Sequence, residues 1–230
     1  MKGKANAIRW VLLLIIAAAV YLRRNDLPLS GNGEKSAPRV EVTPIAPSAN
    51  SASEKVRGYD KFTNVKLVED DGNDGDSFIV NAGGEQFQLR LYFVDTPEKY
   101  LSDRYENQRR RVAEQAREMG GISVDDAVIV GLAAKKYTES QLKGKTFTVY
   151  TYWEEVYDGD RYYGFVELPD GSYLGTRLVE QGLARIHTKG PGSKENPVPT
   201  PDGKSFHQHR DMLYGRERQA QKAKNGAWGL

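Results

Sequence analysis

The 230-residue chain predicts an α+β domain, in which a small, closed, five-stranded Greek-key β-barrel of the OB type carries flanking helices. Three observations predict it. Apolar and polar residues alternate in three runs packed into residues 62–94, the pattern of half-buried strands. Helical periodicity then takes over, from about residue 105 to 142. Alternation returns in two more runs, residues 146–153 and 162–168, before a short helix that ends at a glycine.

In chain order, Lys2, Lys4 and Arg9 precede an apolar run, residues 10–22, closed by Arg23-Arg24. As a helix this run would rise ~20 Å against a ~30 Å hydrocarbon core. Residues 1–24 therefore read as a signal peptide or a short N-terminal membrane anchor, with Ala17-Ala18-Ala19 as an A-x-A cleavage site. Residues 25–58, rich in Pro, Ser, Ala, Gly and Asn, read as a disordered linker. The domain is expected over residues 59–230.

Its first strand is expected at 62–68, followed by the acidic turn Glu69 to Asp74. The second is expected at 77–81 and the third at 85–94, joined by Gly83-Gly84. A helical insertion is expected at about 103–122, its helix stopped by Gly120-Gly121 and carrying Arg109, Arg110, Arg111 and Arg117. Ser123 with Asp126 reads as a capping box opening a second helix, 124–142. After the two later strands and the Pro169-Asp170-Gly171 turn comes a short helix at 176–181. Gly182 is the expected left-handed residue past its end. Residues 183–187 would close the sheet. A Pro/Gly-rich loop precedes a terminal helix at 206–225, capped by Gly226, and Trp228 is expected to pack back on the barrel.

Composition narrows the chemistry. There is no cysteine, so neither a disulfide framework nor a thiolate metal site exists. Net charge is +2, from 33 basic and 31 acidic residues, and five of the basic residues lie in the first twenty-four positions. The remainder holds 28 basic against 31 acidic residues, about −3, so a general basic surface cannot argue for nucleic acid. That argument needs a site.

The stretch from Gln88 to Glu98 offers one. Leu89, Leu91 and Phe93 point one way and Arg90 and Tyr92 the other. Pro97 then turns the chain, bringing a guanidinium near two carboxylates. Asp95 can hold a hard cation, Glu98 can take a proton from water, and Arg90 can clamp phosphate oxygens. Asp76, at the start of the strand after Asp74-Gly75, can join Asp95 on a cation. The plain structural alternative is an edge strand closed by an ion pair.

Asp74-Gly75-Asp76-Ser77-Phe78, then Arg90-Leu91-Tyr92-Phe93-Val94-Asp95-Thr96-Pro97-Glu98, then Leu178-Val179-Glu180-Gln181-Gly182-Leu183-Ala184 resembles the staphylococcal-nuclease-like (thermonuclease) family. The resemblance covers roughly residues 62–228. It implies an OB-type barrel and Ca²⁺-dependent hydrolysis of DNA or RNA phosphodiesters with little sequence preference. It implies calcium ligation by Asp76, Asp95 and the Thr96 carbonyl, Glu98 as general base, and Arg90 as the first essential arginine. The second falls on Arg161 if the strand-to-turn length is kept. Aligned instead on Asp160-Arg161-Tyr162, it is lost near Tyr163. The family's base-stacking tyrosines are missing, where the chain has His187 and Thr188; Tyr162 and Tyr163, with Tyr157, are the candidate replacements. The three histidines show no metal-ligand spacing and are expected at the surface.

The expected protein is an exported, monomeric, Ca²⁺-dependent nuclease, with DNA and/or RNA as partner and a possible membrane tether through residues 10–22. The alternative is a non-catalytic nucleic-acid-binding OB-fold module. A membrane-tethered structural domain would leave the acidic cluster without purpose.

Overall fold

Five strands pair edge to edge until the ring closes on itself. The computed structural model describes residues 54–102, 106–157, 161–187 and 189–230, which fall within one unit, Pro44–Leu230. The expectations for the export segment and for most of the linker lie outside the described residues. The strands are β1 (Glu54–Val56), β2 (Tyr59–Leu67), β3 (Ser77–Ala82), β4 (Glu85–Leu91), β5 (Val94–Asp95), β6 (Phe147–Glu155), β7 (Arg161–Glu167) and β8 (Arg185–Ile186). The helices are α1 (Glu106–Glu118), α2 (Val124–Leu142), α3 (Leu174–Glu180) and α4 (Phe206–Ala223), with a final 3₁₀ turn at Gly226–Gly229.

The main sheet runs β1-β2-β3-β4-β7-β6, and β6 also pairs with β2, closing a ring. Every pairing in it is antiparallel except β4 with β7. The protein is therefore α+β, with a mostly antiparallel sheet closed on itself. Alternation explains the core. Phe78, Val80 and Ala82 of β3 and Phe87, Leu89 and Leu91 of β4 are all buried, while Gln88 and Arg90 take the opposite face.

Helix α2 covers the end of the ring that carries the motifs. Ser123 starts it by accepting the Asp126 N–H at 3.1 Å, as the sequence predicts. Two glycines let it approach the backbone. A Cβ on Gly131 would lie 2.4 Å from the Glu98 carbonyl oxygen, and one on Gly75 would lie 2.6 Å from Ala134 Cβ. The Thr138 hydroxyl then donates to the Gly75 carbonyl at 2.7 Å. One helix thus braces both loops on which the candidate residues sit.

Several expectations need correction. β1 lies inside the stretch read as linker, and pairs with β2 from Glu54↔Lys61 to Val56↔Tyr59. The strand expected at 85–94 breaks at Tyr92-Phe93, where Phe93 takes φ +66°. Its ring is held by Phe206 and His209 of α4, at centroid distances of 5.2 and 4.6 Å. Val94-Asp95 leaves the ring and pairs instead with Arg185-Ile186, so residues 183–187 do not close the main sheet. At the end of α4 the cap is Lys224, left-handed at φ 52°, two residues ahead of Gly226, which is left-handed as well. Trp228 sits by the Gly120 and Gly182 turns. His209 is buried, not at the surface.

Candidate active site

Register places the first three residues. Ser77 pairs with Arg90, and the Leu91 N–H donates to the Asp76 carbonyl at 2.8 Å, so Asp76, just ahead of β3, lies beside Arg90. The kink at Phe93 then returns Asp95 to the same spot. Arg90 Nη2 lies 3.2 Å from Asp76 Oδ2 and 2.5 Å from Asp95 Oδ1, so one nitrogen bridges both carboxylates. The Thr96 N–H donates to Asp76 Oδ2 at 3.0 Å. The two motif loops, distant in sequence, form one hydrogen-bonded knot.

The two carboxylates are not equivalent. Burial pushes the Asp76 carboxyl up to about 6, against the pull of Arg90 and with the Asp95 charge adding to it. Burial also opposes ionisation of Asp95, but Arg90, Arg185 and the Gln115 amide together outweigh it and hold that carboxyl below the ordinary range. Asp76 is thus a buried carboxylate short of positive charge.

Glu98 and Arg161 complete the set. A cleft of about 470 Å³ is lined by Asp74, Asp76, Arg90, Thr96, Glu98 and Arg161, together with residues of α1. Parallel pairing puts Gln88 beside Arg161 and Arg90 beside Tyr163. Arg161 is therefore on the outward face of β7, next to the outward face of β4 that carries Arg90. The register that keeps the strand-to-turn length brings a second arginine to the cleft. Glu98 is paired with Arg111 of α1, which also lines the cleft.

The stacking expectation fails for Tyr162 and Tyr163. Both are buried. Tyr162 meets Trp153 edge-on at 5.1 Å, and Tyr163 stacks on Tyr92 at 5.1 Å, so neither face is offered to a base. Tyr157, in the hairpin before β7, is 98% exposed and keeps that capability.

Sequence reasoning missed two residues. Gln115 donates its amide to Asp95 Oδ2 at 2.8 Å and to the Thr96 carbonyl at 3.1 Å. Arg185 donates to the same Asp95 oxygen at 2.8 Å and to Glu118 at 2.8 Å. A signal for the first exists: Val112, Gln115, Ala116 and Met119 form one buried helical stripe in which Gln115 is the polar member. Arg185 carries no such signal, because its partner Asp95 is ninety residues away.

Chemically, the donor set suits a hard cation: two carboxylates and a backbone carbonyl within one knot, with Asp76 and Thr96 lining the open cleft. The under-compensated Asp76 favours added positive charge. Meanwhile Arg90, Arg185 and Gln115 satisfy these oxygens, and a cation must displace some of those donors. Among the described residues no group of three or more His, Cys, Asp or Glu side chains is arranged to hold a metal, so any cation here leans on the Thr96 carbonyl as well as the carboxylates. No family model matches the chain, and no curated protein matches it, which leaves the cleft itself to carry the functional assignment.

Proposed function

We propose that the closed sheet is a five-stranded OB-type barrel and that the protein is an exported, monomeric, Ca²⁺-dependent nuclease hydrolysing DNA or RNA phosphodiesters with little sequence preference. The observation that carries this is the meeting of Arg161 with Asp76, Arg90, Thr96 and Glu98 around one cleft. An acidic pair with a lone arginine would be an ion pair. Two arginines from neighbouring strands, a carboxylate base and hard oxygens suit a phosphodiester.

In this reading a phosphodiester enters the cleft and its non-bridging oxygens take donors from Arg90 and Arg161. Glu98 orients a water and takes its proton as the water oxygen attacks phosphorus. The two guanidiniums meet the charge that grows on the five-coordinate phosphorus, and the opposite P–O bond breaks as its oxygen takes up a proton. Calcium, held by Asp76, Asp95 and the Thr96 carbonyl, would supply Lewis-acid polarisation of a phosphoryl oxygen. Arg111 is close enough to Glu98 to compete for it until substrate phosphate offers another partner.

A second reading, a non-catalytic nucleic-acid-binding module, is favoured by the same pairings: Glu98 is already neutralised by Arg111, and Asp95 by Arg90 and Arg185. The full chain, incubated with labelled single-stranded DNA or RNA in calcium or chelator, separates them. Calcium-dependent cleavage supports the nuclease, and retention of the strand without cleavage supports the module. Neither cleavage nor retention overturns both. Among the described residues no helix is long and apolar enough to cross a membrane. Export therefore rests on residues 1–24 and is tested by fractionating expressing cells and sequencing the product's N-terminus, where full-length protein in the cytosol refutes it.

A further inference from the structure

Helix α1 reaches the Asp95–Glu98 turn through Arg111 and Gln115, and one of these ties is incomplete. Gln115 is 0% exposed. Its Nε2 donates to both Asp95 Oδ2 and the Thr96 carbonyl, while its Oε1 is buried with no donor. Such an orphan forfeits its hydration with nothing in return. A Leu in the stripe formed by Val112, Ala116 and Met119 would avoid that cost, so packing alone does not account for the amide.

A primary amide presents nitrogen or oxygen to the same neighbours by a half-turn about its last bond. As it stands, nitrogen covers two oxygens of the proposed cation set. After a half-turn, Oε1 takes that place beside Asp95 Oδ2 and the Thr96 carbonyl. Three oxygens so close repel one another unless positive charge lies between them. Oxygens ~3 Å apart are also the spacing of neighbouring ligands on a calcium with ~2.3–2.6 Å bonds.

We propose that Gln115 is a two-position latch of the cation site, whose amide nitrogen holds Asp95 and Thr96 together in the cation-free protein and whose Oε1 becomes a further ligand when a divalent cation binds. The inference rests on the calcium reading above and deepens it. It makes α1, which lies outside all three motif blocks, part of the site. Arg185 keeps its own bond to Asp95 in both positions and holds the carboxylate in place while the amide turns.

The test is calcium titration of the full chain, followed by calorimetry and by melting temperature in calcium against chelator, for wild type, Gln115→Leu and Gln115→Glu. The Leu variant is expected to bind calcium about tenfold or more weakly. The Glu variant is expected to melt lower than wild type in chelator, because its carboxylate faces Asp95, and to gain more from calcium than wild type does. Binding by the Leu variant equal to or tighter than wild type overturns the latch, since the amide would then be a plug. If the Leu variant does not fold, a calcium gain in the Glu variant no larger than in wild type overturns it alone. Wild type that neither releases heat nor shifts its melting temperature at millimolar calcium overturns the calcium reading itself, and the latch with it.

Discussion

Gly131→Ala puts the link between fold and site to a direct test. In an ordinary helix interior this change stabilises by about 1 kcal/mol. Here the new Cβ would lie 2.4 Å from the Glu98 carbonyl oxygen, 2.5 Å from that of Pro97 and 2.7 Å from the Glu98 carbonyl carbon. These are backbone atoms, not the ends of flexible side chains. Relieving the contact to an ordinary separation requires a shift of about 1 Å between α2 and the turn. The turn is tied by Thr96 to Asp76 and by Gln115 to Thr96, and α2 is tied by Thr138 to Gly75. Overpacking of this kind costs ~1–3 kcal/mol, so after the propensity gain of about 1 kcal/mol the net expectation is a loss of up to about 2 kcal/mol. The same shift carries Glu98 with it, and a ~1 Å misplacement at a reacting centre costs ~10²-fold in rate. Urea denaturation measures the first effect and turnover of labelled single-stranded DNA the second. A variant as stable as wild type and equally active would refute the claim that α2 sets the position of the turn.

Glu98→Gln is expected to cut turnover by on the order of 10²-fold or more while melting close to wild type, because Arg111 can still donate to an amide oxygen; unchanged turnover in a folded variant removes Glu98 as base. Asp76→Asn is expected to weaken calcium binding in calorimetry and yet raise stability in chelator. The Asp76 carboxyl titrates at about 6 in the fold against ~3.9 in model peptides, so stability present below ~4 is lost as pH rises through 6. Removing the charge should recover ~1–3 kcal/mol at pH 7.5 and little at pH 4, and a less stable Asn variant at pH 7.5 would contradict this. Burial in the ring cluster pushes His209 down to about 4 from ~6.5. Its contribution is therefore present above 6.5 and lost as pH falls toward 4, about 2 kcal/mol of it by pH 5. The stability gap between wild type and His209→Leu, measured by urea denaturation at each pH, should close by that amount between pH 7 and 5, and a pH-independent gap would show that His209 does not titrate there.

Much of the site was legible because its residues lie in short local blocks. Alternation set the faces of β3 and β4, and Pro97 set the turn, so Asp76, Arg90, Asp95 and Glu98 could be singled out from their chemistry and spacing, while Thr96 came with the family resemblance. Arg161 came with the same resemblance, and respecting strand length chose between its two registers, since a gap within a strand flips its faces. Helix α2 was legible to the residue, because Ser123 and the apolar period are both local signals.

What the sequence determined by itself, then, is whatever depends on residues within a few positions of one another: strand periods, caps, turns and the chemistry of each motif. The tertiary structure decided what depends on long-range packing. The left-handed turn at Phe93 is held by α4, more than a hundred residues later, and it is what swings Asp95 back to Asp76. Burial of Tyr162 and Tyr163 was decided by Trp153 of β6 and by Tyr92 just past the end of β4. Gln115 and Arg185 met Asp95 only because α1 and β8 pack over the same turn. No period or spacing encodes such meetings, since their free energy comes from burial shared among elements far apart in the chain.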